Sequence, residues 1–283
     1  MARVLIAGCG YVGASLGEAL AAQGDVVWGL RRRRVDVVDP IRPVCADLSE
    51  PASLCELPAD VDYVVYAVSA DAFTQEAYRR AYVDGLVNLQ SVLEGRGARG
   101  PSRLLYVSST GVYGQTDGES VDEDSAARPL GFSGRLLLEG ERCALGSSIP
   151  TVVVRLGGIY GPGRTRLIER VRDQAGCVAG FRRYTNRIHR DDCVGVLAHL
   201  MRLESPRSLY VAVDDQPATE LEVMRWLALR LGAPPPVEEV EEDSSTRTNK
   251  RCSNHRLRDS GYRFRYPTYQ TGYEALLRAV SAP

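Results

Sequence analysis

The stretch Val4-Leu5-Ile6-Ala7-Gly8-Cys9-Gly10-Tyr11-Val12-Gly13, close to the N-terminus, decides the fold. Val4–Ala7 is a run of apolar residues and reads as a buried strand. The glycines that follow are spaced GxGxxG. Beyond them, Tyr11–Gln23 places Val12, Leu16, Ala19 and Leu20 on one helical face. A strand, a glycine turn and a helix in this order are the context a dinucleotide-binding turn requires. Gly8 permits the tight turn, Gly10 lets a pyrophosphate approach the backbone, and Gly13 lets helix pack close to strand. The pyrophosphate would rest on amides at the helix start, which makes Gly8, Gly10, Tyr11, Val12 and Gly13 candidate cofactor residues.

The pattern repeats outward. Val26–Leu30, Pro43–Ala46, Val61–Val68, Leu104–Val107 and Thr151–Arg155 read as further strands. Thr74–Glu94 reads as a long helix, with Ala77, Ala81, Gly85, Leu89 and Val92 at three- and four-residue steps. Strands separated by helices imply right-handed crossovers and a parallel sheet, so the predicted class is α/β and doubly wound. The last third differs. Arg164–Gln174 and Asp191–Met201 read as helices, and Ser208–Val213 as a strand. Thr219–Leu231 opens with a capping box, Thr219 with Glu222, and ends at Gly232. Gly272–Val280 closes the chain as a helix. The acidic run 238–243 and the polar stretch to Asn254, including Lys250-Arg251-Cys252-Ser253-Asn254, read as surface loop.

Thirty-five basic residues stand against 36 acidic ones, for a net charge of −1. That balance argues against broad nucleic-acid binding, which needs a clustered positive field. Of the basic residues 34 are arginine, and Lys250 is the one lysine. A mechanism that needs a lysine has no other to use, and guanidinium stays charged. No apolar run approaches the roughly 20 residues of a membrane span. The N-terminus does not read as a signal peptide. Cysteines at 9, 45, 55, 143, 177, 193 and 252 form no CxxC pair, and the three histidines lack metal spacing. These features predict reduced thiols in a cytoplasmic protein without a metal site.

The end of the second strand separates NAD from NADP. NAD binders place an acidic residue there for the ribose hydroxyls. Here Arg31-Arg32-Arg33-Arg34 begins 18 residues after Gly13. A guanidinium fork suits a 2′-phosphate, so Arg31 and Arg32 are candidate cofactor residues and NADP(H) is favoured over NAD. Arg33 and Arg34 fit a solvated basic turn equally well.

Further motifs follow: Asp47-Leu48, Ser108-Ser-Thr-Gly-Val-Tyr113-Gly114, Arg155-Leu-Gly-Gly-Ile-Tyr160-Gly-Pro-Gly163, and Asn186-Arg-Ile-His189-Arg-Asp191-Asp192. With the glycine turn, they make the chain resemble the extended short-chain dehydrogenase/reductases, or NAD-dependent epimerase/dehydratases, over nearly its whole length. The resemblance implies a Rossmann domain, residues 1–160 plus about 188–213, and a smaller substrate domain, 161–187 plus 214–283. It places Asp47 and Leu48 near the adenine. Ala67, Val68, Ser69 and Ser108 would lie along the cofactor, and Gly157, Gly158 and Ile159 beside the nicotinamide. It also implies a homodimer packed through Thr74–Glu94.

The family's catalytic pair is Tyr-x-x-x-Lys. In the matching stretch Ser133 stands for the tyrosine and Leu137 for the lysine, and no such pair exists elsewhere in the chain. Tyr82 holds a helix position where the family often has asparagine. Ser109 matches the family's substrate-contacting serine. Tyr113, Tyr160, Tyr184 and His189 are candidates for a replacement acid, with Tyr113 taken beside Ser109 as the catalytic pair. Arg164, Arg166, Arg182, Arg183, Arg187, Arg247 and Arg251 in the C-terminal part suit an anionic substrate, a nucleotide sugar or another phosphate ester. Two functions stay open: an NADP(H)-dependent oxidoreductase, epimerase or dehydratase with a non-standard proton donor, and a non-catalytic NADP(H)-binding sensor.

Overall fold

Seven strands hydrogen-bond into one parallel sheet. They are β1 (Arg3–Ala7), β2 (Val26–Arg31), β3 (Arg42–Cys45), β4 (Tyr63–Tyr66), β5 (Arg103–Ser109), β6 (Thr151–Leu156) and β7 (Leu209–Ala212). Their order across the sheet is β7-β6-β5-β4-β1-β2-β3. The computed structural model describes residues 1–32, 39–97, 100–174, 177–178, 183–239 and 248–281. Arg33, Arg34, Arg182, Arg247 and the acidic run beyond residue 239 lie outside them. No helix among the described residues is long and apolar enough to cross a membrane.

Strand β1 pairs with both β2 and β4. The direction in which successive strands are added reverses there, and such switch points are where doubly wound sheets bind ligands. Val4, Leu5, Ile6 and Ala7 have no solvent exposure, as expected of a strand covered on both faces. Helix α1 (Tyr11–Ala22) buries Val12, Leu16 and Leu20. Three of the four residues of the predicted apolar stripe are thus buried, and Ala19 is half-buried.

The long helix predicted over 74–94 contains a break in its hydrogen bonding. Thr74 caps α2 (Gln75–Arg79), a π turn runs over Arg80–Asp84, and α3 (Gly85–Glu94) follows. Two tyrosines on the sheet account for the acceptors at the turn. Tyr66 Oη on β4 donates to the Ala81 carbonyl at 2.6 Å, and Tyr106 Oη on β5 donates to the Tyr82 carbonyl at 3.0 Å. The rings stack at 5.7 Å and are buried. Their hydroxyls fit because small residues lie opposite. A Cβ on Gly85 would come within 2.9 Å of Tyr66 Oη. A Cβ on Gly140, in α4 (Phe132–Leu145), would collide with Tyr106 Oη and the Tyr82 carbonyl.

The chain forms two compact units. One comprises residues 1–112, 131–155 and 194–210, and the other 113–130, 156–193 and 211–283. The sequence expectation ran the first domain through residue 160, whereas residues 113–130 cluster with the second unit. That unit contains the strand Gly158–Tyr160, parallel to Arg187–His189. Its helix Glu220–Leu231 carries the expected capping box, both bonds between Thr219 and Glu222 being present, and ends at a left-handed Gly232. Val223, Met224 and Leu227 pack there with Ile168, Tyr273 and Leu276.

One reading is corrected. Residues 250–254 are not surface loop. Lys250–Cys252 is a strand parallel to Glu119–Val121, and Lys250, Cys252 and Asn254 are buried. The polar composition concealed a segment held by side-chain amides.

Gly140→Ala tests the tyrosine seat. The collision has no room to relax without moving backbone, so a loss of about 1–3 kcal/mol is expected in urea unfolding. Tyr106→Phe in the same background should recover part of the loss.

Candidate cofactor and active site

The glycine turn is built by close approach. Gly8 adopts φ of 89°, in the left-handed region. A Cβ there would lie 2.5 Å from the Ala67 carbonyl oxygen and 2.6 Å from Val68 N. Only glycine lets the loop after β4 pass this near the end of β1. A Cβ on Gly13 would strike the Gly8 carbonyl, so this glycine sets how tightly α1 seats on the turn. Gly10 differs: nothing lies within 4 Å of where its Cβ would be. The open face at Gly10, beside the N-terminus of α1, is what a pyrophosphate needs.

At the end of β2 the Arg31 guanidinium folds back, its Nε donating to the Cys9 carbonyl at 2.5 Å. Arg32 pairs with Asp71 at 3.0 Å, and Arg80 reaches the same carboxylate at 3.8 Å. Asp47 sits in the same charge cluster. Its carboxylate accepts from the Ser49 amide at 2.9 Å and the Ser49 hydroxyl at 2.6 Å. The Ser49 hydroxyl chiefly, with help from Arg32 and Arg80, holds Asp47 below the usual carboxylate range. Leu48 is buried, and its carbonyl accepts from Asn88 Nδ2 at 2.8 Å. Ala67 and Val68 are half-buried and Ser69 exposed. The first unit therefore brings Gly8–Gly13, Arg31, Arg32, Asp47, Leu48 and Ala67–Ser69 to the C-terminal ends of β1 to β4.

Ser108 is placed differently from its expected role. Its hydroxyl is buried and donates to Glu141 Oε1 at 2.5 Å. The same carboxylate receives Arg155 Nε at 2.9 Å and Arg155 Nη2 at 2.6 Å. All three residues are no more than 5% exposed. This buried ion pair joins β5, α4 and β6 and takes up the Ser108 hydroxyl, which leaves only the backbone of Ser108 for contact with a cofactor. The signal was hidden because Glu141 lies 33 residues away in sequence.

Ser109 ends β5. Its Oγ accepts the Gly111 amide at 3.1 Å, which fixes the oxygen and leaves the hydroxyl hydrogen to be donated. Helix α4 packs on the turn 110–112 that follows. Leu137 on this helix is buried, and Ser133 is half-buried. Around the start of α4 is an aromatic group that sequence reading missed. Phe132 lies 5.0 Å from Phe73 and 5.5 Å from Tyr78, and Tyr78 lies 5.2 Å from Tyr82. Phe73 is 72% exposed. The chain has four phenylalanines, and two of them meet here, which was the available clue.

The other candidate residues belong to the second unit. Tyr113 is fully buried, and its hydroxyl donates to the Asp122 carbonyl at 2.6 Å. Gly157 and Gly158 donate their amides to Ala212 and Asn186 carbonyls, holding the segment that continues to Ile159. Tyr160 stacks on Tyr273 at 4.6 Å and meets His189 edge-on. The hydroxyl of Tyr160, Nε2 of His189 and Oδ2 of Asp214 are buried without a hydrogen-bond partner among the described residues. Burial pushes His189 down and the Tyr160 phenol up. Tyr184 packs under the Arg251 guanidinium. Among the described residues, no group of three histidine, cysteine or acidic side chains could hold a metal.

The sequence profile of the NAD dependent epimerase/dehydratase family matches residues 4–185, and the chain belongs to that family. It is 31% identical over 258 residues to a 3-diazoavenalumate denitrifying reductase from a Streptomyces species, covering 83% of each chain. Among solved structures, a Methylobacillus flagellatus protein described as an NAD-dependent epimerase/dehydratase superposes with a TM-score of 0.82 at 37% identity, covering 99% of both chains. The human epimerase family protein SDR39U1, solved with NADPH, shares the fold at a TM-score of 0.82 and 19% identity, covering 98% of this chain and 99% of that one. Within the family this chain is an atypical member, with Ser133 and Leu137 in place of the tyrosine and lysine.

Two predictions concern the buried groups. Glu141→Ala removes the carboxylate that receives Arg155 Nε and Nη2 in a buried setting and should cost about 3–5 kcal/mol in urea unfolding. Ser108→Ala removes one hydrogen bond to the pair and should cost about 1.5–3 kcal/mol. The second concerns pH. Burial raises the Asp214 carboxyl to about 7. The folded state thus keeps a proton that an unfolded chain, titrating near about 3.9, has released. This contribution to stability is full below about pH 4 and is lost as pH rises through 7. Asp214→Asn should therefore gain on the wild type between about pH 5 and pH 8, by roughly 1–3 kcal/mol. Parallel stability profiles for the two proteins would contradict the raised carboxyl.

Proposed function

We propose that this chain is an NADP(H)-dependent reductase acting on a small anionic molecule. The observation that carries the reading is the end of β2, where Arg31 and Arg32 stand in place of a ribose-binding carboxylate, next to a glycine turn that is open at Gly10. In this reading Gly8–Gly13 hold the pyrophosphate, Arg31 and Arg32 the 2′-phosphate, and Asp47 and Leu48 the adenosine end. Ala67–Ser69 line the remainder within the first unit. The bound cofactor would supply the hydride.

The missing catalytic pair favours reduction over epimerisation or dehydration. Those reactions begin by oxidising an alcohol, and a base must take the hydroxyl proton. Ser133 and Leu137 cannot do so. Reduction asks only that a proton be delivered, and water or an acidic group on the ligand can deliver it. Ser109 would orient the group being reduced, since its oxygen is fixed by the Gly111 amide and its hydrogen is left to donate. Tyr113 takes no part, because its hydroxyl is buried and bonded to the Asp122 carbonyl. The Streptomyces relative is itself named as a reductase.

The test has two parts. NADPH oxidation is followed with a panel of small carboxylates and phosphate esters that each carry a reducible bond. At least one should be turned over. Tight NADPH binding with no turnover across the panel would instead make the chain a cofactor-binding module. In parallel, Arg31→Asp should lower the preference for NADPH over NADH by roughly tenfold or more. An unchanged ratio would sink the NADP assignment.

A further inference from the structure

Three charged side chains of the first unit meet beyond the C-terminal ends of β2 and β4, and only Arg32 among them has a place in the cofactor reading. Arg32 Nη1 donates to Asp71 Oδ2 at 3.0 Å, and Arg80 Nη2 approaches the other oxygen, Oδ1, at 3.8 Å. One carboxylate is thus held between two guanidiniums, one on each oxygen. The three residues come from separate stretches. Arg32 follows β2, Asp71 lies between β4 and Thr74, and Arg80 opens the π turn. The backbone that carries Arg80 is fixed just beyond it, where the Tyr66 and Tyr106 hydroxyls donate to the Ala81 and Tyr82 carbonyls.

The side chains of Arg32 and Arg80 are 60% and 55% exposed, so both guanidiniums stay within reach of a ligand. An ion pair this exposed is worth at most a factor of about five in an equilibrium. A phosphate monoester carries about −1.5 to −2 charges at neutral pH and three acceptor oxygens, where a carboxylate carries one charge and two. It is the better partner for two arginines, and a carboxylate that stayed beside it would repel it. Asp47 reports on the same pair of cations. The Ser49 hydroxyl chiefly holds its carboxyl below the usual range, and Arg32 and Arg80 add to the effect together.

We propose that Arg80 is a third arginine for the cofactor's 2′-phosphate, and that Asp71 is an internal anion that competes with this phosphate for Arg32 and Arg80. The two guanidiniums already converge on one oxyanion of the protein itself, and the fork that takes a carboxylate also takes a phosphate. Arg80 then raises the affinity for NADP(H) and the margin over NAD(H), while Asp71 lowers both. The chain carries its own brake on cofactor binding. Sequence reading missed it because Asp71 stands 39 residues from Arg32. The assignment rests on the NADP(H) reading for the identity of the anion.

The experiment is calorimetric titration of the full-length protein with NADPH and with NADH, without substrate, so that binding alone is read. Asp71→Asn should tighten NADPH about threefold to fivefold and leave NADH within a factor of about two, since NADH has the same pyrophosphate but no 2′-phosphate. Arg80→Gln should weaken NADPH about fivefold and again spare NADH. In the Arg80→Gln background Asp71→Asn should gain less than it does alone, because the two residues are coupled through the same anion. An Asp71→Asn protein that binds NADPH no tighter than the wild type overturns the proposal, as does an Arg80→Gln protein with an unchanged ratio of NADPH to NADH affinity. Each variant is compared with the wild type, so the shifts are read whichever cofactor the wild type prefers. The NADP assignment itself fails on a different variant, Arg31→Asp, and the two failures are separate.

Discussion

Gly8 and the Ala67 carbonyl approach so closely that a single added carbon at position 8 would push them apart. The cluster of strand ends in the first unit depends on that approach. It draws the loop after β4 against the end of β1, at the point where the sheet's strand order reverses. The glycine turn, the arginines at the end of β2, and the Asp47 cluster are then presented at neighbouring strand ends. Gly13 completes the arrangement by letting α1 seat on the Gly8 carbonyl. Two glycines therefore fix the backbone, and Gly10, where an added Cβ would meet nothing within 4 Å, leaves an open face that a charged ligand could approach.

The buried Arg155–Glu141 pair has a complementary role deeper in the first unit. A carboxylate and a guanidinium removed from water are stable only when their hydrogen-bonding capacity is used, and the Ser108 hydroxyl takes part of what remains. This ties α4 to β5 and β6. The helix that in the family carries the tyrosine and lysine is therefore still firmly positioned, although Ser133 and Leu137 occupy those places. The scaffold of the catalytic helix has been kept while its acid–base chemistry is absent.

How much of this was legible in the sequence depended on whether the cause was local. The strand, turn and helix at 4–22 could be read because the glycine spacing and the apolar stripe lie within one short stretch. The capping box at Thr219 was equally local and is present. The role of Ser108 was not legible, since its partner is on another element. Tyr113 was chosen by its nearness in sequence to Ser109, but burial and the Asp122 carbonyl decide what it does. Lys250-Arg-Cys-Ser-Asn254 looked like loop because its order comes from Asn186, which holds the Lys250 carbonyl and the Cys252 amide, and from Asn254, which reaches the Val213 carbonyl, and tertiary hydrogen bonds of that kind leave no trace in composition. The π turn also escaped notice, because the steps at Ala77, Ala81 and Gly85 are consistent with an uninterrupted helix.

That turn has one more consequence. A π turn carries an extra residue relative to an α-helical turn, so everything after it is rotated about the helix axis. Asn88, whose amide reaches the Leu48 carbonyl, lies on the part of the helix that follows the turn. The two phenols on the sheet therefore act as a phase setting for α3. They hold the wider turn in place, and through it they determine which side chains a helix ten residues long turns toward the edge of the sheet.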